Sequence, residues 1–122
     1  MARILLIDDN YMVRESLTML LTKAGHEVRT AENGRLALQL YQSLVFDLVI
    51  TDIVMPEMDG LELIQEMKQR YPQVKIIAIS GGGRCSPQDY LEIAGVLGVS
   101  STIAKPFANQ ELLSRIEEVL SP

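Results

Sequence analysis

Short apolar runs alternate along the chain with segments whose apolar residues recur at helical spacing. Three runs are continuous, at residues 4–7, 48–50 and 76–79. Such runs are typical of strands buried on both faces of a parallel sheet. The segment 27–31 alternates polar and apolar residues instead, which favours an edge strand, and residues 102–104 supply a short fifth strand.

Helical patterns occupy the segments between and after these runs. Four stripes have the spacing of one helix face: Val13, Leu17, Leu20, Leu21 and Ala24; Leu36, Ala37, Leu40 and Tyr41; Leu61, Ile64, Met67 and Tyr71; Leu112, Leu113, Ile116, Val119 and Leu120. Gly25 stands where a glycine commonly ends a helix. Ser86-Pro87 predicts the start of a fifth helix, because serine caps helices and proline suits their first position.

This alternation of strands and helices predicts one α/β domain over residues 1–122. Parallel neighbouring strands require helical crossovers, so we expect a doubly wound five-stranded sheet with helices on both faces. No apolar stretch approaches the roughly 20 residues of a membrane helix. The amino-terminal segment also lacks the layout of a signal peptide, so we expect a cytoplasmic location and no membrane contact.

Charge and cysteine content narrow the classes of partner. The formal net charge is -5 and the sequence pI is near 4.8, which argues against a nucleic-acid surface because phosphate binding is driven by Lys and Arg. Cys85 is the only cysteine, so no intrachain disulfide is expected. The glycines at 81–83 precede Arg84 without the Gly-Lys-Ser/Thr of a nucleotide loop.

Chemically active side chains stand at the ends of the predicted strands. Asp8 and Asp9 close the first strand, Asp52 the third and Ser80 the fourth, and Lys105 follows the fifth. The carboxyl ends of parallel strands meet at one edge of an open sheet, where ligands bind. These five residues are therefore expected to share one crevice.

A hard divalent cation suits such a crevice. Three crowded carboxylates repel one another and raise a pKa unless a cation holds them ionised. Mg²⁺ takes one or two carboxylates and leaves coordination positions for phosphate oxygens. With a hydroxyl at Ser80 and a cation at Lys105, the set predicts a phosphoryl-transfer site.

Four stretches resemble the receiver domain of two-component response regulators, in particular chemotaxis receivers. They are LIDDN at 6–10, DIVMPEMDG at 52–60, Ser80-Gly81, and Lys105-Pro106-Phe107. The resemblance covers essentially the whole chain. It implies a flavodoxin-like sheet with strand order 2-1-3-4-5.

The resemblance also implies roles for the acidic residues. Asp52 is the expected phosphoacceptor. Asp9, Asp52 and the backbone carbonyl of Val54 are expected to hold Mg²⁺, or Mn²⁺ in its place, while Asp8 helps through water. We therefore expect self-phosphorylation and self-dephosphorylation chemistry, and no turnover of an external substrate.

The remaining implied roles concern phosphoryl binding and switching. Ser80 and Lys105 are expected to bind the phosphoryl oxygens, and the Lys105-Pro106 peptide is expected to be cis. Receivers usually carry an aromatic residue three positions before the lysine, where this chain has Thr102. A switch in this chain must work without that ring or couple more weakly.

The partners that the resemblance implies are a sensor histidine kinase or a histidine phosphotransfer protein, and an effector domain or downstream protein. We expect the phosphodonor to dock at Tyr11, Arg14 and Pro106. The output face is expected around the last two helices and the fifth strand, with Val96 exposed, and phosphorylation-dependent homodimerisation is compatible with it.

Two alternatives remain open. One is a small phosphatase or phosphotransferase with an aspartyl nucleophile, although haloacid-dehalogenase-type enzymes place a second Asp where this chain has Val54. The other is a degenerate receiver that binds a partner without phosphorylation. The complete acidic, hydroxyl and lysine set speaks against it.

Overall fold

The strands form one parallel sheet. The computed structural model describes residues 2–53, 55, 60–80, 92 and 95–121. The strands are β1 (Arg3–Ile7), β2 (Glu27–Ala31), β3 (Leu48–Asp52), β4 (Ile76–Ser80) and β5 (Ser101–Ala104). Their order is β2-β1-β3-β4-β5 with every pair parallel. The predicted fold class and strand order are confirmed, and β2 is an edge strand as its alternating pattern predicted.

Four helices are described: α1 (Tyr11–Lys23), α2 (Gly34–Ser43), α3 (Gly60–Arg70) and α4 (Asn109–Leu120). Each coincides with a predicted stripe, and Tyr71 follows the end of α3. The start of the helix predicted after Ser86-Pro87 lies outside the described residues, whereas Glu92, Gly95 and Val96 are described as helical. In the described part of the chain, no helix combines the length and apolar character that crossing a bilayer requires.

Local sequence explains where α1 begins and ends. The Asn10 side chain accepts a hydrogen bond from the Val13 N–H, which satisfies one of the unpaired donors of the first turn. Gly25 follows the helix with a φ of 98°, a conformation that favours glycine. The predicted stop at Gly25 is confirmed.

Two apolar cores cover the two faces of the sheet. Because side chains alternate along a strand, Leu5 and Ile7 of β1 face the core beneath α2 and α3, while Ile4 and Leu6 face the core beneath α1 and α4. Strands β3 and β4 divide their side chains in the same way. Packing on both faces therefore fixes the positions of the buried strands, and with them Asp52 and Ser80 as the last residues of β3 and β4.

Helix α2 departs from its predicted stripe. Leu36 is 38% exposed, whereas Leu38, outside the predicted stripe, is only 8% exposed. The helix packs its Ala37 and Leu38 side against the sheet. The prediction for Leu36 is wrong, because an edge strand such as β2 does not cover the whole width of a helix.

Candidate functional site

The predicted residues converge at the carboxyl edge of the sheet. Asp52 and Ser80 are the last residues of β3 and β4, Asp8 directly follows β1, and Lys105 directly follows β5. Oxygens of Asp8, Asp9 and Asp52 all lie within 4.8 Å of one another. The sequence-based expectation of one shared crevice is confirmed for the three carboxylates and for Lys105.

Lys105 lies between two of the carboxylates. Its Nζ is 3.6 Å from Asp8 Oδ2 and 3.7 Å from Asp52 Oδ2. The Lys105 main-chain N–H donates to the Ser80 carbonyl at 2.8 Å, which fixes the lysine to the end of β4. The Lys105-Pro106 peptide is cis, as expected. One cation therefore neutralises part of an acidic cluster that carries three potential charges.

Burial dominates the electrostatics of the two inner carboxylates. Loss of hydration raises the pKa of Asp52 to about 6, and Asp8 and Asp9 add repulsion that Lys105 and the Ile53 N–H only partly offset. Burial likewise raises the pKa of Asp8. A bound cation would relieve this cost, so the carboxylate set fits a divalent metal ion.

The segment between β1 and α1 is held by several hydrogen bonds. The Asp8 N–H donates to the Ala31 carbonyl at 3.2 Å, and the Asn10 N–H donates to Asp8 Oδ1 at 2.9 Å. Arg14 Nη1 donates to the Asp8 carbonyl oxygen at 2.7 Å. Asp9 itself is exposed.

Ser80 presents a buried hydroxyl at the end of β4. The residue is 0% exposed, and its Oγ has no hydrogen-bond partner among the residues that the structure describes. A buried hydroxyl without a partner costs free energy unless a ligand supplies one. Its chemistry fits a donor for an oxyanion that binds beside Asp52.

Gly60 permits the close approach of α3 to the end of β3. A Cβ at this position would collide with the Asp52 carbonyl oxygen and with Ile53 Cα. The Gly60 N–H also donates to the Ile53 carbonyl at 2.7 Å. The main chain that carries Asp52 is therefore packed directly against the first residue of a helix.

Sequence reasoning missed three contributions to this site. It did not anticipate the packing requirement at Gly60, the cap supplied by Asn10, or the contact between Arg14 and Asp8. The asparagine before a helical stripe was a usable signal for the cap. Val54, predicted to offer a carbonyl to the metal, lies outside the described residues.

Fold and site together define a parallel α/β domain with a cluster of three carboxylates and a lysine at the carboxyl edge of its sheet. The family model of the response regulator receiver domain matches residues 4–117 of this chain. The chain is 37% identical over 119 residues to the chemotaxis protein CheY of Thermotoga maritima, covering 96% of each. The chain therefore belongs to the response regulator receiver domain family, which acts in two-component signalling through a phosphoacceptor.

Other relatives differ in length. The response regulator MprA of Mycolicibacterium vanbaalenii is 36% identical over 97% of this chain, which spans only 50% of MprA. A solved structure of a response regulator receiver domain protein from Clostridium thermocellum superposes with a TM-score of 0.91 at 30% identity, covering 98% of this chain and 94% of that one. The chain thus matches both short and longer response regulators.

Proposed function

We propose that this receiver domain takes a phosphoryl group onto Asp52 from the phosphohistidine of a sensor histidine kinase or phosphotransfer protein. The observation that carries the proposal is the placement of one buried carboxylate at the end of β3, facing Lys105 and two further carboxylates. Receiver relatives are signalling proteins, and their family supports a phosphoacceptor role.

In the transfer, an Asp52 carboxylate oxygen attacks phosphorus. A new oxygen–phosphorus bond forms while the nitrogen–phosphorus bond of the phosphohistidine breaks, and its electron pair returns to the imidazole. The product is an aspartyl phosphate. Only the ionised carboxylate is a nucleophile, so a group that lowers the raised pKa of Asp52 favours the reaction.

Lys105 and Ser80 are suited to the product. The partly exposed Lys105 places its Nζ within 4 Å of Asp52. It can therefore turn from the carboxylates to a phosphoryl oxygen on Asp52. Ser80 can donate its buried hydroxyl to a second oxygen. Both interactions would stabilise the negative charge that the phosphoryl oxygens bring into the site.

Asp8, Asp9 and Asp52 would hold Mg²⁺, or Mn²⁺ in its place. When bound, the ion would offset the charge of the carboxylates and of the phosphoryl oxygens. The three residues offer oxygens close enough to share one ion. A carbonyl ligand from Val54 is part of the proposal, although that residue is outside the described part of the chain.

We propose self-phosphorylation and self-dephosphorylation rather than turnover of an external substrate. An aspartyl phosphatase of the haloacid-dehalogenase type would place an acidic residue two positions after the nucleophile, and Val54 stands there. The complete set at Asp52, Lys105 and Ser80 also disfavours a receiver that works without phosphorylation.

The output is an effector domain or a separate protein. One relative, of Haemophilus influenzae, bears the name transcriptional regulatory protein CpxR homolog, and this chain spans 51% of it. The short relative from Thermotoga maritima bears the name chemotaxis protein. Either kind of output, with or without phosphorylation-dependent dimerisation, is compatible with the domain.

The proposal is tested with a small phosphodonor and intact-protein mass spectrometry. We expect one phosphoryl group per chain when Mg²⁺ is present and none when it is chelated. Asp52→Asn should abolish the adduct, whereas Asp47→Asn, which changes a carboxylate near the opposite edge, should keep it. An adduct that forms equally well in Asp52→Asn would refute the proposal.

A further inference from the structure

Arg14 contacts the main chain of its own protein beside the acidic cluster, a contact that docking of a partner does not require. It lies in the first turns of α1 and is half-buried, with Nη1 2.7 Å from the Asp8 carbonyl oxygen. Its guanidinium also lies 5.7 Å from the centroid of the Tyr11 ring. A hydrogen bond from a charged donor is stronger than a neutral one, so the arginine is anchored to the segment that precedes its own helix.

That segment carries two of the three carboxylates of the acidic cluster. It belongs neither to β1, which ends at Ile7, nor to α1, which begins at Tyr11. The hydrogen bonds within β1 and within α1 therefore do not determine the conformation of this segment. The bonds to Ala31 and Asn10 hold the N–H and the side chain of Asp8, whereas Arg14 holds the Asp8 carbonyl.

The Asp8 carbonyl controls where Asp9 lies. The peptide bond that joins the two residues is planar, so fixing its oxygen sets the direction in which the Asp9 Cα leaves the segment. The Asp9 side chain is exposed and has no hydrogen bond or ion pair within the described ranges. Its position beside Asp8 and Asp52 therefore depends on the main chain.

We propose that Arg14 is a positioning residue for the magnesium site: by holding the Asp8 carbonyl, it places the Asp9 carboxylate beside Asp8 and Asp52. The inference rests on the proposed function, because it assumes that these carboxylates bind a divalent cation. It assigns Arg14 a task within its own chain, separate from docking of the phosphodonor.

A role of Arg14 through its charge and a role through positioning predict opposite changes in Mg²⁺ affinity when the residue is replaced. A guanidinium near a cation site repels the cation, so a residue that acted only through its charge would weaken Mg²⁺ binding, and its removal would strengthen it. A residue that positions a ligand strengthens binding, and its removal weakens it. Residues that orient metal ligands typically contribute about 10-fold or more in metal affinity.

The test is a Mg²⁺ titration followed by amide NMR shifts, which report affinity and fold together. Arg14→Met keeps the length and packing of the side chain, and we expect it to bind Mg²⁺ about 10-fold more weakly. Arg14→Lys keeps the charge but replaces the planar donor group. Its Mg²⁺ affinity should therefore lie between those of the wild type and Arg14→Met. Arg70→Met is the matched control, since Arg70 is roughly 15 Å along α3 from Gly60, and it should bind like the wild type.

A second readout separates positioning from chemistry. The Mg²⁺ concentration that gives half-maximal phosphorylation by a small phosphodonor should rise about 10-fold in Arg14→Met, in step with its weaker Mg²⁺ binding. Wild-type or tighter Mg²⁺ affinity in Arg14→Met would overturn the inference. If Arg14→Met does not fold, wild-type affinity in Arg14→Lys would overturn it on the same grounds. Failure of the wild type to bind Mg²⁺ would instead overturn the proposed function.

Discussion

The Asp52 carboxylate lies where an ionised group costs free energy in the absence of metal. Its pKa is raised from 3.8 to about 6, chiefly by burial, so the folded state holds the proton more tightly than the unfolded state. The contribution of Asp52 to stability is therefore full below its ordinary pKa of 3.8 and is lost as the pH rises through about 6. Asp8 acts in the same direction.

Asp52→Asn should stabilise the metal-free protein at neutral pH. We expect the free energy of unfolding to rise by roughly 1 to 2 kcal/mol, with solvent screening taken into account, and the gain to shrink at acidic pH. Urea denaturation followed by circular dichroism measures it, with the exposed Glu118→Gln as control. Mg²⁺ should narrow the difference by stabilising the wild type. A variant no more stable than the wild type at neutral pH would contradict this electrostatic account.

Lys105→Ala should separate metal binding from phosphoryl binding. The variant loses the cation between Asp8 and Asp52, so Mg²⁺ binding should persist while phosphorylation slows by about 100-fold, the usual cost of removing one oxyanion donor. Amide NMR shifts with Mg²⁺ and beryllium fluoride report binding, and intact-protein mass spectrometry reports the phosphorylation rate. Lys75→Ala, which changes an exposed lysine before β4, serves as control. An unaltered response in Lys105→Ala would refute its assignment to the phosphoryl oxygens.

At the scale of elements, the start of α1 presents the surface beside the site. Tyr11 is 61% exposed and Pro106 is also exposed. Arg14 is half-buried and already bonded to Asp8, so it offers less to a partner than the sequence suggested. We keep Tyr11 and Pro106 as the main candidates for contact with the phosphodonor protein.

Tyr11→Ser should slow phosphotransfer from a cognate histidine kinase by about 10-fold, as expected for loss of one aromatic interface contact. The rate from a small phosphodonor should not change, since the site itself is intact. Val45→Ser removes another exposed apolar side chain, near the opposite edge, and should leave both rates unaltered. Equal slowing with both donors would indicate damage to the site rather than to docking.

A side chain of α4 contacts β5. Arg115 Nη1 donates to Ser101 Oγ and to the Thr102 carbonyl, each at 2.8 Å. This arginine links strand to helix beside the position where receivers usually carry an aromatic residue. We expect this contact to couple Lys105, which follows β5, to the proposed output face.

Beryllium fluoride with Mg²⁺ should therefore alter amide exchange in α4 as well as in β5, by less than in a receiver with the aromatic residue. Arg115→Met should restrict the change to β5, while Arg70→Met should not. Amide hydrogen exchange followed by mass spectrometry measures the change in β5 and in α4 separately. An unchanged α4 in the wild type would mean that coupling does not reach the proposed output face.

The strands were predictable because their apolar runs are short and continuous, and the edge position of β2 followed from its alternation. The convergence of Asp8, Asp52 and Lys105 followed from parallel strand geometry alone. The contacts of Arg14 and Arg115 did not, because long side chains reach main-chain oxygens whose positions only the folded chain defines. Leu36 was mispredicted for the related reason that spacing does not show how far an edge strand extends.

At the scale of the whole molecule, two cores hold the strands while the reactive side chains lie at one edge. Val96 is 88% exposed, as predicted for the output side, whereas half-buried Leu97 packs against the core beneath α2 and α3. A single exposed valine is common on protein surfaces. The output face is therefore a prediction, and the amide-exchange experiment tests it.

The central claim is that Asp52 is the phosphoacceptor, and chemical mapping tests it most directly. An aspartyl phosphate is an acyl phosphate, so borohydride reduces it to homoserine at the modified position. After phosphorylation with Mg²⁺ and a small phosphodonor, peptide mass spectrometry should find homoserine at position 52 and at none of the other aspartates. Homoserine at Asp8 or Asp9, or a phosphoryl group that resists borohydride, would contradict the account.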